Sequence, residues 1–209
     1  MRRALLIFLS LVLALIGWSA VCAQDFYVVP VIKGKYAPVP KTGQTTKYFT
    51  GDDGGWEKGV AWPTPRFTDN GNGTVTDNFT GLIWMQNANA FGLRTWADAL
   101  TAANGLKSGD AGTDLTDGSK AGDWRLPNLR ELQSLIAYQF YNPALPNTLG
   151  TGKWAAADPF NGVQSSYYWS STTYTNHATY AWSVGFAAGG VISDEKINTC
   201  RVWCVRGGP

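Results

Sequence analysis

His177 is the chain's one histidine, and it lies in the run Tyr174-Thr175-Asn176-His177-Ala178-Thr179-Tyr180. A single histidine excludes a His-rich metal site. A Ser-His-Asp triad would have to pass through His177, and the Tyr/Thr/Asn-rich run around it supplies no recognisable partners. Asp69-Asn70-Gly71-Asn72-Gly73-Thr74-Val75-Thr76-Asp77 has the look of half a calcium loop, with Asp69 and Asp77 as its carboxylates. An EF-type loop needs oxygen ligands at its third and fifth positions and a bidentate Glu at its twelfth. Gly71, Gly73 and Thr80 stand there instead, so a hairpin reading is preferred to a metal site. No catalytic residue and no cofactor is assigned on these grounds. What remains is chemistry for binding. Tyr, Asn, Ser and Thr give stacking faces and adaptable hydrogen bonds at low entropic cost. Tyr174, Asn176, His177 and Tyr180 form one such set, and Asp194, Glu195 and Asn198 of the run Ser193–Asn198 form a second. The alternative, that both runs are ordinary polar loops, stays open at this level.

These runs need a compartment and a scaffold. Arg2 and Arg3 precede an apolar run from Ala4 to Ile16 broken only by Ser10, and Val21-Cys22-Ala23 follows with a small residue at the cleavage position. This pattern predicts a signal peptide over 1–23 and an exported mature chain, in the periplasm, on the outer surface or outside the cell. The run is shorter than the roughly 20 apolar residues that a membrane span requires. A lipoprotein carrying lipid on Cys22 is the alternative, although Val21 fits it poorly. Loss of Arg2 and Arg3 leaves fifteen basic and fifteen acidic residues. Such a neutral chain has no long-range pull on nucleic acid, and export would make its partner an extracellular ligand, glycan or protein.

The ten Trp and 24 Gly point to a loop-rich domain held by aromatic packing. Residues 24–65 read as an extended Pro/Gly-rich lead-in, with Tyr27-Val28-Val29 able to make an edge strand. The folded domain is expected over 66–209. Arg66–Asp69, the turn Asn70–Gly73, Thr74–Asp77, the turn Asn78–Gly81 and Leu82–Met85 read as successive strands and turns. Thr95-Trp96-Ala97-Asp98 has capping-box spacing and opens a helix ending near Asn104-Gly105. A second helix begins around Leu126-Pro127-Asn128, where Leu129, Leu132, Leu135 and Ile136 make one apolar stripe. Strands return at Tyr167–Ser171, Ala181–Phe186, Val191-Ile192 and Arg201–Arg206.

The blocks RFTDNGNGTVTDNFTGLIWMQN, TWADAL, DWRLPNLRELQSL, YYWSS and VWCVRGG, in that order, resemble the Legionella collagen-like protein C-terminal domain family. The resemblance runs from about Arg66 to Gly208. It implies an α+β, C-type-lectin-like fold related to the sulfatase-modifying-factor domain: two helices flanking a small twisted antiparallel sheet, with long loops on one side. It also implies a surface adhesion module, with glycans, sulfated ones included, as a ligand class. The Glu-Pro-Asn, Gln-Pro-Asp and Trp-Asn-Asp motifs of calcium-dependent lectins are missing, which leaves a calcium-dependent sugar site unsupported. A structural envelope protein without a soluble ligand is the second reading. An oxidoreductase-like enzyme using Cys200 and Cys204 is the third, and their spacing departs from that of the sulfatase-modifying relatives. Within the blocks, Trp84, Trp124 and Trp169 are expected in the core, Asp123 beside Arg125 or as a helix cap, and Arg206 on a buried carboxylate or loop carbonyls.

Cys200 and Cys204 are not expected to pair with each other. In one continuous strand their Cα atoms would stand roughly 13 Å apart at about 3.3 Å per residue. A disulfide reaches only about 7 Å. A turn at Thr199-Cys200 is the competing possibility.

Overall fold

The structure, a computed structural model, describes residues 39–207. The expected signal peptide, Cys22 and the edge strand at Tyr27–Val29 lie outside the described residues.

Asn and Gly turns between short β-branched segments make antiparallel strands the local outcome. β1 (Phe67–Asp69), β2 (Thr74–Asp77) and β3 (Ile83–Met85) form a meander, with Phe67 opposite Asp77 and Val75 opposite Trp84. Gly73, at the turn into β2, has φ +80°, and a Cβ there would come within 2.4 Å of the Asp114 carbonyl oxygen. Only glycine fits that crossing. After α1 (Asp53–Trp56) in the lead-in, two more helices occur among the described residues: α2 (Trp96–Gly105) and α3 (Leu129–Ser134). Thr95 caps α2 by accepting from the Asp98 N–H. Asn128 and Glu131 cap α3 reciprocally, in a full capping box. Leu132, Leu135 and Ile136 are buried, as the apolar stripe predicted.

β4 (Leu93–Arg94) was not anticipated. It joins β8 (Cys200–Arg201), β5 (Tyr167–Thr173), β6 (Tyr180–Gly185) and β7 (Gly190–Glu195) in a five-stranded sheet, in the order β4-β8-β5-β6-β7. β5 and β8 run parallel and the other pairs antiparallel. β9 (Val205–Arg206) instead pairs with β3, completing a four-stranded sheet β1-β2-β3-β9.

The fold expectation therefore needs correction. The molecule is mostly β, with two sheets of four and five strands and three short helices among the described residues, and not an α+β two-helix lectin arrangement. Two physical causes account for the difference. The helical periodicity is brief: α2 stops at Asn104-Gly105 and α3 has only six residues. The terminal segment, read as one strand, is two. Val202, Trp203 and Cys204 are all buried, so no face is left for strand alternation, and the chain crosses there from one sheet to the other. β3 satisfies the crossing backbone, since the Met85 N–H donates to the Cys204 carbonyl at 3.0 Å.

Trp203 is the centre of the core. Trp84, Phe160, Tyr168 and Phe186 surround its ring at centroid distances of 4.9–5.6 Å. Buried indoles need a partner for their N–H. Trp203 donates to the Met85 carbonyl, Trp169 to the Arg94 carbonyl and Trp124 to the Ser119 hydroxyl. These three tryptophans thus tie loops to the core as well as filling it, whereas the buried Trp84 N–H has no hydrogen-bond partner.

Candidate functional site

One end of the five-stranded sheet gathers the residues singled out for binding. The β5–β6 connection begins at Tyr174, whose N–H donates to the Tyr180 carbonyl at 3.0 Å. Inside it, the His177 N–H donates to the Tyr174 carbonyl and the Tyr180 N–H to the His177 carbonyl. The His177 ring stands 5.6 Å from Tyr174 and 6.0 Å from Tyr180. Strand register puts Tyr180 opposite Glu195, and the phenol donates to Glu195 Oε1 at 2.8 Å. That hydrogen bond, followed by the Glu195 charge itself, raises the Tyr180 pKa. Asp194 Oδ1 accepts from Asn198 Nδ2 and from the Glu195 N–H, both at 2.8 Å. Asn176, His177 and Asn198 are exposed, whereas Tyr174, Tyr180, Asp194 and Glu195 are half-buried.

The structure thus brings Tyr174, His177, Tyr180 and Glu195 into direct contact, with Asp194 and Asn198 beside them and Asn176 on the loop's exposed side. Ser193, Asp194 and Glu195 belong to β7 itself, not to a hairpin loop. Two participants escaped the sequence reading. Trp182 lies two residues beyond Tyr180, hence on the same face of β6, and its ring is 5.0 Å from that of Tyr174. Strand alternation alone could have found it. Lys196 donates to Thr173 Oγ1 and to the Ala178 carbonyl, with its ammonium 4.0 Å from the Trp96 ring centroid. It ties the two connections to α2, a long-range link that carries no local sequence signal.

The other candidates are engaged elsewhere. Both Asp77 oxygens bind Arg66, to Nε and Nη2 at 2.8 Å, and also accept from the Phe79 N–H and the Thr80 hydroxyl. Asp69 accepts from the Gly71 N–H and from Gln86 Nε2. Among the described residues, no three or more His, Cys, Asp or Glu side chains are grouped to hold a metal ion. Asp123 neither pairs with Arg125 nor caps a helix; it accepts from the Lys120 N–H, and Arg125 forks onto Glu131. Arg206 does reach a buried carboxylate, Asp117, at 3.1 Å, and lies over the Trp124 ring. Cys200 and Cys204 are free and buried. Burial pushes the Cys200 thiol up to about 12 and raises the Cys204 thiol as well.

Fold and site together define a mostly β domain that carries an aromatic and carboxylate surface at one sheet end. The Lcl C-terminal domain family matches residues 73–206, and the chain belongs to that family. The match takes in β2 through β9 and the whole of this sheet end. No curated protein matches the chain. Among the described residues, no helix is long and apolar enough to cross a membrane.

Proposed function

We propose that this is an exported, surface-associated module that binds an extracellular ligand, glycan or protein, and that it is not an enzyme. Family membership supports the surface association. The observation that carries the binding reading is the contiguous set Tyr174, His177, Tyr180, Trp182 and Glu195, outside the core and fixed by hydrogen bonds to its own strands. Aromatic faces stack on sugar rings or apolar side chains, and adjacent carboxylates and amides orient hydroxyl or amide groups. Asp194 and Glu195 would repel sulfate, so a neutral or amino sugar suits the surface better than a sulfated one. The non-enzymatic reading draws on the thiols, which burial keeps protonated, and on His177, whose ring neighbours are tyrosines. A cysteine nucleophile needs a thiolate.

A glycan-array screen of the exported chain, repeated with Tyr174, His177 and Tyr180 all replaced by Ala, tests this reading. Binding that disappears in the variant while thermal unfolding stays unchanged is the expected result. Binding that survives the triple change moves the site elsewhere.

A further inference from the structure

Each sheet has two edge strands, and three of the four are short. β1 has three residues, β4 and β9 have two each, and Val205 of β9 is also bridged by Arg125. β7 is different. It runs for six residues, pairs with β6 without a bulge, and carries neither Lys nor Pro. Among the described residues, no strand lies on its other side. Edge strands are normally shortened, bulged or charged with lysine, because an open row of N–H and C=O groups invites another strand.

The hydrogen-bond phase shows which groups are open. Just beyond β7 the Lys196 N–H donates to the Thr179 carbonyl at 2.8 Å, so Asp194, Ile192 and Gly190 also turn their backbones towards β6. Val191, Ser193 and Glu195 turn theirs outward. Glu195 is already satisfied: its N–H donates to Asp194 Oδ1 and its carbonyl accepts from the Asn198 N–H. That leaves one donor and one acceptor on each of Val191 and Ser193, placed evenly about Ile192. This set is self-complementary. A second β7, turned antiparallel about a two-fold axis at Ile192, sets Val191 against Ser193 twice, and the four N–H groups of the two copies meet the four carbonyls. In the same register Ile192, 38% exposed, faces its own copy. Asp194 falls opposite Gly190, which sets neither a side chain nor a like charge against it. A parallel, in-register pairing would instead set Asp194 beside Asp194 and Glu195 beside Glu195. We propose that β7 is a self-association edge, through which two copies of this chain join their five-stranded sheets in an antiparallel β7–β7 pair centred on Ile192. This is independent of the binding role given to the sheet end.

Sedimentation equilibrium of the exported chain should give a mass that climbs with concentration from monomer to dimer. Ser193→Pro deletes one outward N–H per copy, hence two bonds per dimer, and should weaken association about tenfold. Ile192→Lys puts two ammonium groups face to face at the axis and should abolish it. Its thermal unfolding should match the wild type, so it carries the test even where the proline disturbs β7. Oxidation in a Cys22→Ser chain reads the register. Ile192→Cys should cross-link into a covalent dimer, because directly opposed antiparallel residues of this kind stand about 4.5 Å apart at Cα. Gly190→Cys, about 14 Å from its copy along the strands, should not. A mass fixed at the monomer up to the solubility limit overturns the proposal, as does a dimer that survives Ile192→Lys or cross-links through Gly190→Cys in preference to Ile192→Cys. A monomer whose Val191 amide gains exchange protection only when a Thr-Val-Thr-Val-Thr peptide is added overturns it too, and makes β7 a dock for other extended chains.

Discussion

Two carboxylates, Asp77 and Glu195, each sit on a strand and each bind a neighbouring side chain, yet they live in different physical worlds. Asp77 and its partner Arg66 are completely buried. The guanidinium is boxed by Trp62, Phe67 and Phe79 at about 5 Å and also donates to the Ser134 carbonyl. Glu195 and Tyr180 are half-exposed, and their bond is a rim contact that water can replace. The first pair fastens the β1–β2 hairpin to the end of α3. The second shapes a surface without holding anything shut. Residue type alone does not reveal which role a carboxylate has; the depth of its partner does.

The sharpest way to break this contrast is to remove Arg66. Arg66→Ala strands a buried carboxylate and should cost about 3–5 kcal/mol. Thermal unfolding should fall by roughly 10 °C, on the usual scale for a domain of this size. A loss under about 1 kcal/mol would place the pair in the same class as surface ion pairs. Next in size is Gly73→Ala, which forces a side chain onto the Asp114 carbonyl at positive φ. It should cost about 1–3 kcal/mol, read from the urea midpoint.

The thiols test burial in a different way. Cys200 and Cys204 should ignore a thiol reagent at pH 8 in the folded chain and react fully once it is unfolded. Because burial raises their pKa values above those of the unfolded chain, the folded state holds their protons more tightly. Their contribution to stability is intact below about pH 9 and is lost as pH rises towards 12, where Cys200 titrates. Midpoints in urea at pH 8 and pH 10.5 should differ in that direction. The smallest effect belongs to the sheet end: Tyr174→Ala and His177→Ala should each change stability by no more than about 0.5 kcal/mol. Larger losses would make that surface part of the scaffold.

Much of the local structure was legible because it has local causes. Asn-Gly turns set the first meander, Thr95 and Asn128 set the starts of α2 and α3, and Leu132, Leu135 and Ile136 set the buried helix face. The Tyr- and Asn-rich run between two strands was legible too, as the connection from β5 to β6. What the sequence hid was topology. Nothing in Cys200–Arg206 announces that two residues pair with β4 and β5, three cross the core and two pair with β3. That outcome depends on Met85 and Trp84, more than a hundred positions earlier, and it turned an expected single sheet into two. Lys196 on Trp96 and Arg66 on Asp77 were hidden for the same reason. Each is decided by a meeting of distant segments, and a charged residue reads alike in sequence whether it ends in water or in a box of rings.

That same crossing sets the order of events when the chain is made. β8 stands between β4 and β5, and β9 closes the other sheet against β3. A ribosome that has not yet reached Arg206 has therefore produced a domain in which neither sheet can be finished. Until then β4 lacks β8 to pair with, and Trp203, the hub of the core, is missing. The two sheets can therefore close only after Arg206 has been made. A product truncated before Trp203 would lack its keystone and present itself to proteases as waste.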